Sequence, residues 1–121
     1  MTLRKAVSVQ AAYYLATGIW PLLHRRSFEA VTGPKVDFWL VRTVGVTVAA
    51  IGAGLALSVR RGRPTGDMRV TALLAAAGLA GIDVVYVLRG RISRVYLLDA
   101  AIEVAFAVSL VGSGPGTEQP S

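Results

Sequence analysis

Three carboxylates, Asp83, Asp99 and Glu103, interrupt stretches of sequence that are otherwise soluble in lipid. An ionisable side chain at membrane depth costs about 2.5–3.5 kcal/mol or more unless it is paired or lines water, so it marks a candidate site. Asp99 and Glu103 stand at i and i+4, and on a helix they repel each other if both are ionised. Either one of them holds a proton or a cation sits beside them. Arg42 is the expected cation, because a guanidinium is always charged and forks onto two carboxylates. Asp83 then has no evident second cation unless Arg89 or Arg94 folds back.

Three chemistries fit such a layer. It binds or transports a small cationic or amphipathic ligand, or protons, with the three acids as the charge-reading groups. Alternatively, it is a structural or accessory subunit in which buried ion pairs set helix register and nothing more. In a third reading it is an enzyme on a lipid-soluble substrate, with one carboxylate as acid and another as base.

Tyr14, Tyr86 and His24 join the candidate list through their positions along the chain. His24 is a proton carrier or metal ligand by type, but beside Arg25 and Arg26 it reads more readily as an interfacial residue. A His, two Asp and one Glu could hold a divalent ion, yet the adjoining arginines oppose an unneutralised cation site. No metal and no cofactor are therefore expected. The sequence contains no cysteine, which excludes disulfides, thiol catalysis and cysteine-ligated metals. Phosphate-cradling loops, nucleophile elbows and zinc motifs are absent as well.

Four apolar runs must position these residues: Val7 to Leu23, Phe38 to Val59, Val70 to Leu88 and Val95 to Val111. At 1.5 Å per residue, runs of roughly 17 to 22 residues match a hydrocarbon core of about 30 Å. The chain of 121 residues is 54% hydrophobic with a mean hydropathy of +0.56, more apolar sequence than a soluble domain of this size could hide. The expected fold is all-α, an up-down bundle of four transmembrane helices in one domain over residues 1–111, multi-pass in a bacterial plasma membrane. Residues 112–121, rich in Gly, Pro and polar side chains, read as a disordered tail. The first run is long for a signal peptide and ends in Trp20-Pro21-Leu22-Leu23 without a small-residue cleavage pattern, so it reads as a retained helix.

The net charge of +6 comes from arginines clustered at run ends, Arg60, Arg61, Arg63 and Arg69 at one turn and Arg89, Arg91 and Arg94 at another. That is a membrane-flanking pattern. Lipid headgroups are the expected partners, and nucleic acid is not. Lys and Arg number six on the terminal side and seven on the other, so the positive-inside rule finds almost no asymmetry. A near tie also suits a dual-topology chain that pairs with an inverted copy of itself, a homodimer.

At 100° per residue each run presents one inward face. The first aligns Gln10, Tyr13, Tyr14, Thr17, Pro21 and His24; the second sets Arg42 above Gly45, Val46, Ala49, Ala53 and Ala56. The third aligns Ala72, Ala76, Leu79, Asp83 and Tyr86, and the fourth Asp99, Glu103, Phe106 and Leu110. Between the first two runs, Ser27 to Val31 predicts a helical turn, Thr32-Gly33-Pro34 a turn, and Asp37 an N-cap. This short structured loop reads as an amphipathic lid anchored by Trp20, Phe28, Phe38 and Trp39.

The stretches from Tyr14 to Lys35 (YLATGIWPLLHRRSFEAVTGPK), Ile82-Asp-Val-Val-Tyr86 and Tyr96-Leu-Leu-Asp-Ala-Ala-Ile-Glu103 resemble signatures of a family of small uncharacterised bacterial four-helix membrane proteins. The resemblance implies the fold and carries no activity with it. A fainter likeness of architecture, acids within a compact membrane bundle, connects the chain with sterol-isomerase-like proteins, and no motif residue carries over.

Overall fold

The computed structural model describes residues 2–35, 37–62 and 64–113. Over these residues the chain is all-helical, with five helices: α1 (Leu3–Leu23), α2 (Arg25–Thr32), α3 (Phe38–Arg60), α4 (Gly66–Leu88) and α5 (Tyr96–Ser113). The four expected long helices are present, and the loop between the first two contains a helix of its own. Helix α5 runs two residues beyond the expected boundary, and the remainder of the tail lies outside the described residues, as does Arg63.

Local chemistry sets the helix ends. The Thr2 hydroxyl caps α1 by accepting from the Lys5 N–H at 3.2 Å, and Thr65 caps α4 by accepting from Met68 at 3.3 Å. Asp37 occupies the N-cap position of α3, but its side chain makes no capping bond, contrary to the sequence reading. Just past the end of α4, Gly90 takes φ 71° and the Arg91 N–H returns to the Tyr86 carbonyl at 2.9 Å, the closed turn that glycine permits. The last carbonyls of α5 are claimed by Arg69, which donates to Leu110 at 2.7 and 3.0 Å and to Val111 at 3.1 Å.

Two antiparallel hairpins result, α1 with α3 and α4 with α5, and α1 joins them by also touching α4 and α5. The α1/α3 seam is made of small residues. A methyl placed on Gly18 would lie 2.6 Å from the Ala49 nitrogen and 2.7 Å from the Gly45 carbonyl oxygen, so the two backbones are in direct contact. Gly52 also fits closely, a methyl there lying 3.0 Å from Leu15 and Tyr14 and 3.1 Å from Ala11. The seam therefore runs through Gly45, Ala49, Gly52 and Ala56, while Val46 and Ala53 from the expected row face outward. Gly52 was the missing member, because steps of three and four alternate along a packed helix face.

The dry core lies at the end of the molecule near the N-terminus, where Leu3, Val7, Leu55, Ala72 and Leu110 meet. Outside it, apolar side chains point away from the protein, with Leu74 68% and Val108 66% exposed. Helices α3 and α4, each of 23 residues with mean hydropathy 1.8 and 2.0, are long and apolar enough to cross a membrane. Only 17% and 22% of those apolar windows are buried within the protein, the reverse of what core helices of a soluble protein show.

Candidate functional site

The face of α1 beside the glycine seam carries hydroxyls. Tyr13 donates to Asp99, and Tyr14, fully buried, donates to Glu103 at 2.6 Å. Gln10, one turn earlier, donates through its Nε2 to the Tyr14 hydroxyl at 3.1 Å and to the Ala72 carbonyl of α4 at 3.0 Å. Phe106 closes the group, its ring 5.6 Å from Tyr13 and 6.2 Å from Tyr14 in edge-on contact. The i, i+4 spacing that made Asp99 and Glu103 suspect also places Phe106 and Leu110 on the same stripe.

Asp83 comes from α4 to meet this group. It is 6% exposed, and its Oδ2 has no hydrogen-bond partner. The expectation that the three acids face inward together holds. The expected cation does not. Arg42 is exposed and lies over the Phe38 ring at 5.3 Å, and among the described residues no Lys or Arg pairs with any of the three acids. Helix α3 packs on α1 rather than on α5, so Arg42, on the stripe of Gly45 and Ala49, stays at the start of α3 over the Phe38 ring. Neutral tyrosine donors take the place the guanidinium was given.

Two further candidates fall outside the acid layer. Tyr86, three residues past Asp83, is 37% exposed. His24 sits between α1 and α2, where its Nδ1 accepts from the Ser27 N–H at 3.2 Å and so caps α2. Tyr13 is the acid-bound residue that the sequence candidates lacked. Its signal was present, since it shares the α1 stripe with Gln10 and Tyr14, but one residue of an adjacent pair could be assigned inward more readily than two.

A cavity of about 350 Å³ opens beside the acids. Tyr13, Asp99 and Glu103 supply its polar wall; Val41, Gly45 and Val48 of α3, Leu79 of α4 and Ile102 of α5 supply apolar walls. It exists because α3 leans on α1 and touches α4 little, leaving the hairpins apart at this end. Helix α2 forms the roof through Phe28, Val31 and Thr32. The sequence reading of an ordered lid is correct here, and the helix is longer than the single turn expected.

The lid is fastened at several points. Trp20 donates to Ser27 at 2.8 Å and meets Phe28 edge-on, and Phe28 meets Phe38. Glu29 accepts from the Lys35 backbone N–H at 2.8 Å and from Arg25 at 3.1 Å, while Lys35 reaches over the Tyr96 ring of α5. The Lys35 N–H holds the Glu29 carboxyl below the usual carboxylate range, with Arg25 acting in the same direction and burial opposing. Both hairpins are thus bridged at the lid, the first through Phe38 and the second through Tyr96.

The arrangement offers an anionic or hydrogen-bond-accepting wall inside an otherwise apolar pocket. Comparison with protein-family models, with curated proteins and with solved structures finds no match.

Proposed function

We propose that this chain is a multi-pass protein of the cell membrane, with α1, α3, α4 and α5 spanning the bilayer and α2 lying at its interface, and that it binds a small amphipathic cation. The reading is in keeping with the small bacterial four-helix membrane proteins that its sequence resembles. The outward apolar faces of the long helices support the membrane placement, since water would have to hydrate them all. One observation carries the ligand reading: an apolar cavity of about 350 Å³ with Asp99 and Glu103 on its wall and no Lys or Arg paired to them among the described residues. That volume suits a small ligand with an apolar body and one charged end. Tyr13, Trp20, Phe28 and Tyr96 also line the cavity, and aromatic faces attract organic cations.

A second reading, a subunit in which the layer only sets helix register, draws support from the tyrosines that satisfy Asp99 and Glu103. Calorimetry on the full chain in bilayers separates the two, with phenyltrimethylammonium as probe and the uncharged tert-butylbenzene as control. The ligand reading expects saturable binding of the cation that Asp99→Asn weakens at least tenfold with little change in melting temperature. The register reading expects no binding and a lowered melting temperature for Asp99→Asn. Release of the protein from membranes by alkaline carbonate would overturn the membrane placement.

A further inference from the structure

The lid carries positive charge that the acid layer does not use. Arg25 opens α2 and Arg42 lies in the second turn of α3, yet both guanidiniums stand over one ring, that of Phe38, at 4.3 and 5.3 Å from its centroid. Phe38 is 5% exposed and meets Phe28 edge-on at 6.3 Å, so the ring is a fixed platform. An aromatic face attracts a cation within about 6 Å, but two cations drawn to the same ring repel each other.

The acids near this pair do not compensate it. Glu29 accepts from the Arg25 Nε at 3.1 Å through one oxygen and from the Lys35 N–H at 2.8 Å through the other. Its bond to Nε leaves both terminal amino groups of Arg25 without an acid, on a side chain that is 50% exposed. Arg42 is exposed and has no ion pair among the described residues. Asp37 is exposed as well, and the segment from His24 to Arg42 holds Arg25, Arg26, Lys35 and Arg42 against Glu29 and Asp37 alone.

We propose that Arg25 and Arg42 form an anion site that takes one phosphate group beside the Phe38 platform. A guanidinium donates in a planar fork, and one fork fills both oxygens of a carboxylate. A tetrahedral phosphate has oxygens enough for two forks, and its charge removes the repulsion between the arginines. Neither arginine lines the cavity, so the site is separate from the acid wall and independent of the cation reading. In the proposed placement α2 lies at the depth of lipid headgroups, where Trp39, 66% exposed, is also at home, and the phosphate at that depth belongs to an anionic phospholipid. That source rests on the membrane placement, whereas the arginine pair does not.

Native mass spectrometry of the full chain in neutral detergent, titrated separately with phosphatidylglycerol, phosphatidylcholine and inorganic phosphate, tests the proposal. Phosphatidylglycerol should be retained at one molecule per chain at least fivefold more tightly than phosphatidylcholine. Arg42→Gln, which breaks no ion pair, should weaken that retention at least fivefold, and Arg25→Gln with Arg42→Gln should abolish the preference. Arg60→Gln with Arg61→Gln removes equal charge at the other end of α3 and should change little. Retention unaffected by Arg42→Gln, or weakened as much by the Arg60 and Arg61 substitutions, overturns the site in favour of general charge attraction. Inorganic phosphate that binds through the same two arginines and displaces the lipid supports the site and overturns the lipid as its occupant. Loss of the membrane placement in carbonate extraction, with phosphate still bound through Arg42, would separate failure of that placement from failure of the site.

Discussion

The two faces of α1 solve the same packing problem in opposite ways. Towards α3 it presents Gly18 and Ala11, and the helices touch backbone to backbone. Towards α5 it presents Tyr13 and Tyr14, and the helices are held by hydroxyl-to-carboxylate hydrogen bonds with a cavity alongside. The first seam gains stability from close dispersion contact and has no room for another methyl. The second keeps its helices apart and leaves space. A binding site belongs on the second kind of seam, because a seam without free volume cannot admit anything.

The largest effect should come from breaking the close seam. Gly18→Ala puts a methyl within 2.6 Å of the Ala49 backbone, which no side-chain rotation can relieve. Overpacking of this kind costs about 1–3 kcal/mol or more, so thermal unfolding in detergent should show a clear fall in Tm. Gly81→Ala, whose methyl would meet nothing within 4 Å, should leave Tm unchanged or raise it slightly, since alanine favours the helix by about 0.5–1 kcal/mol. Equal losses for the two would show that Gly18 owes nothing to close backbone contact.

Tyr14→Phe attacks the polar seam and ranks next. It strips Glu103 of its 2.6 Å donor and Gln10 of a partner without changing shape, and an unsatisfied buried group costs about 1–3 kcal/mol. The same unfolding assay should therefore register a smaller fall than for Gly18→Ala, and a null result would show that Glu103 finds another donor.

The lid should respond to pH with a defined sign. Glu29 is held below its ordinary range by the Lys35 N–H, so its stabilisation of the α2–α3 connection is present above the unfolded value of about 4.3 and is lost as pH falls through the lower folded value. Tryptophan fluorescence, which reports Trp20 where it meets Ser27 and Phe28, should change below that point in the wild type. In Glu29→Gln the transition should be absent.

The smallest effect is expected at Arg42. It is exposed and contacts the Phe38 ring, so Arg42→Gln should change stability by less than about 1 kcal/mol and leave cation binding intact. A large loss would return Arg42 to the acid layer.

Periodicity alone located Asp83, Asp99, Glu103, Phe106 and Leu110 on inward faces, because 100° per residue is a property of any α-helix. The long helices were legible for the same kind of reason: hydropathy over some twenty residues averages out individual exceptions. The segment from His24 to Asp37 announced an ordered lid through Phe28, the flanking aromatics and the turn residues Thr32-Gly33-Pro34. That His24 would cap the lid depended on one local rotamer.

The partner of the carboxylates was a different matter. Electrostatics made Arg42 the natural choice, since it assigns the strongest available counter-charge to a buried acid. Whether α3 reaches α5 depends, however, on how α3 seats on α1, and Gly18, Gly45 and Gly52 allow that close seating by lacking a Cβ. Composition and spacing thus determined the helices and the inward acids of this chain. Only the tertiary structure decided that tyrosines satisfy them and that a cavity opens beside them, because helix rotation and separation are fixed by contacts between residues far apart in sequence.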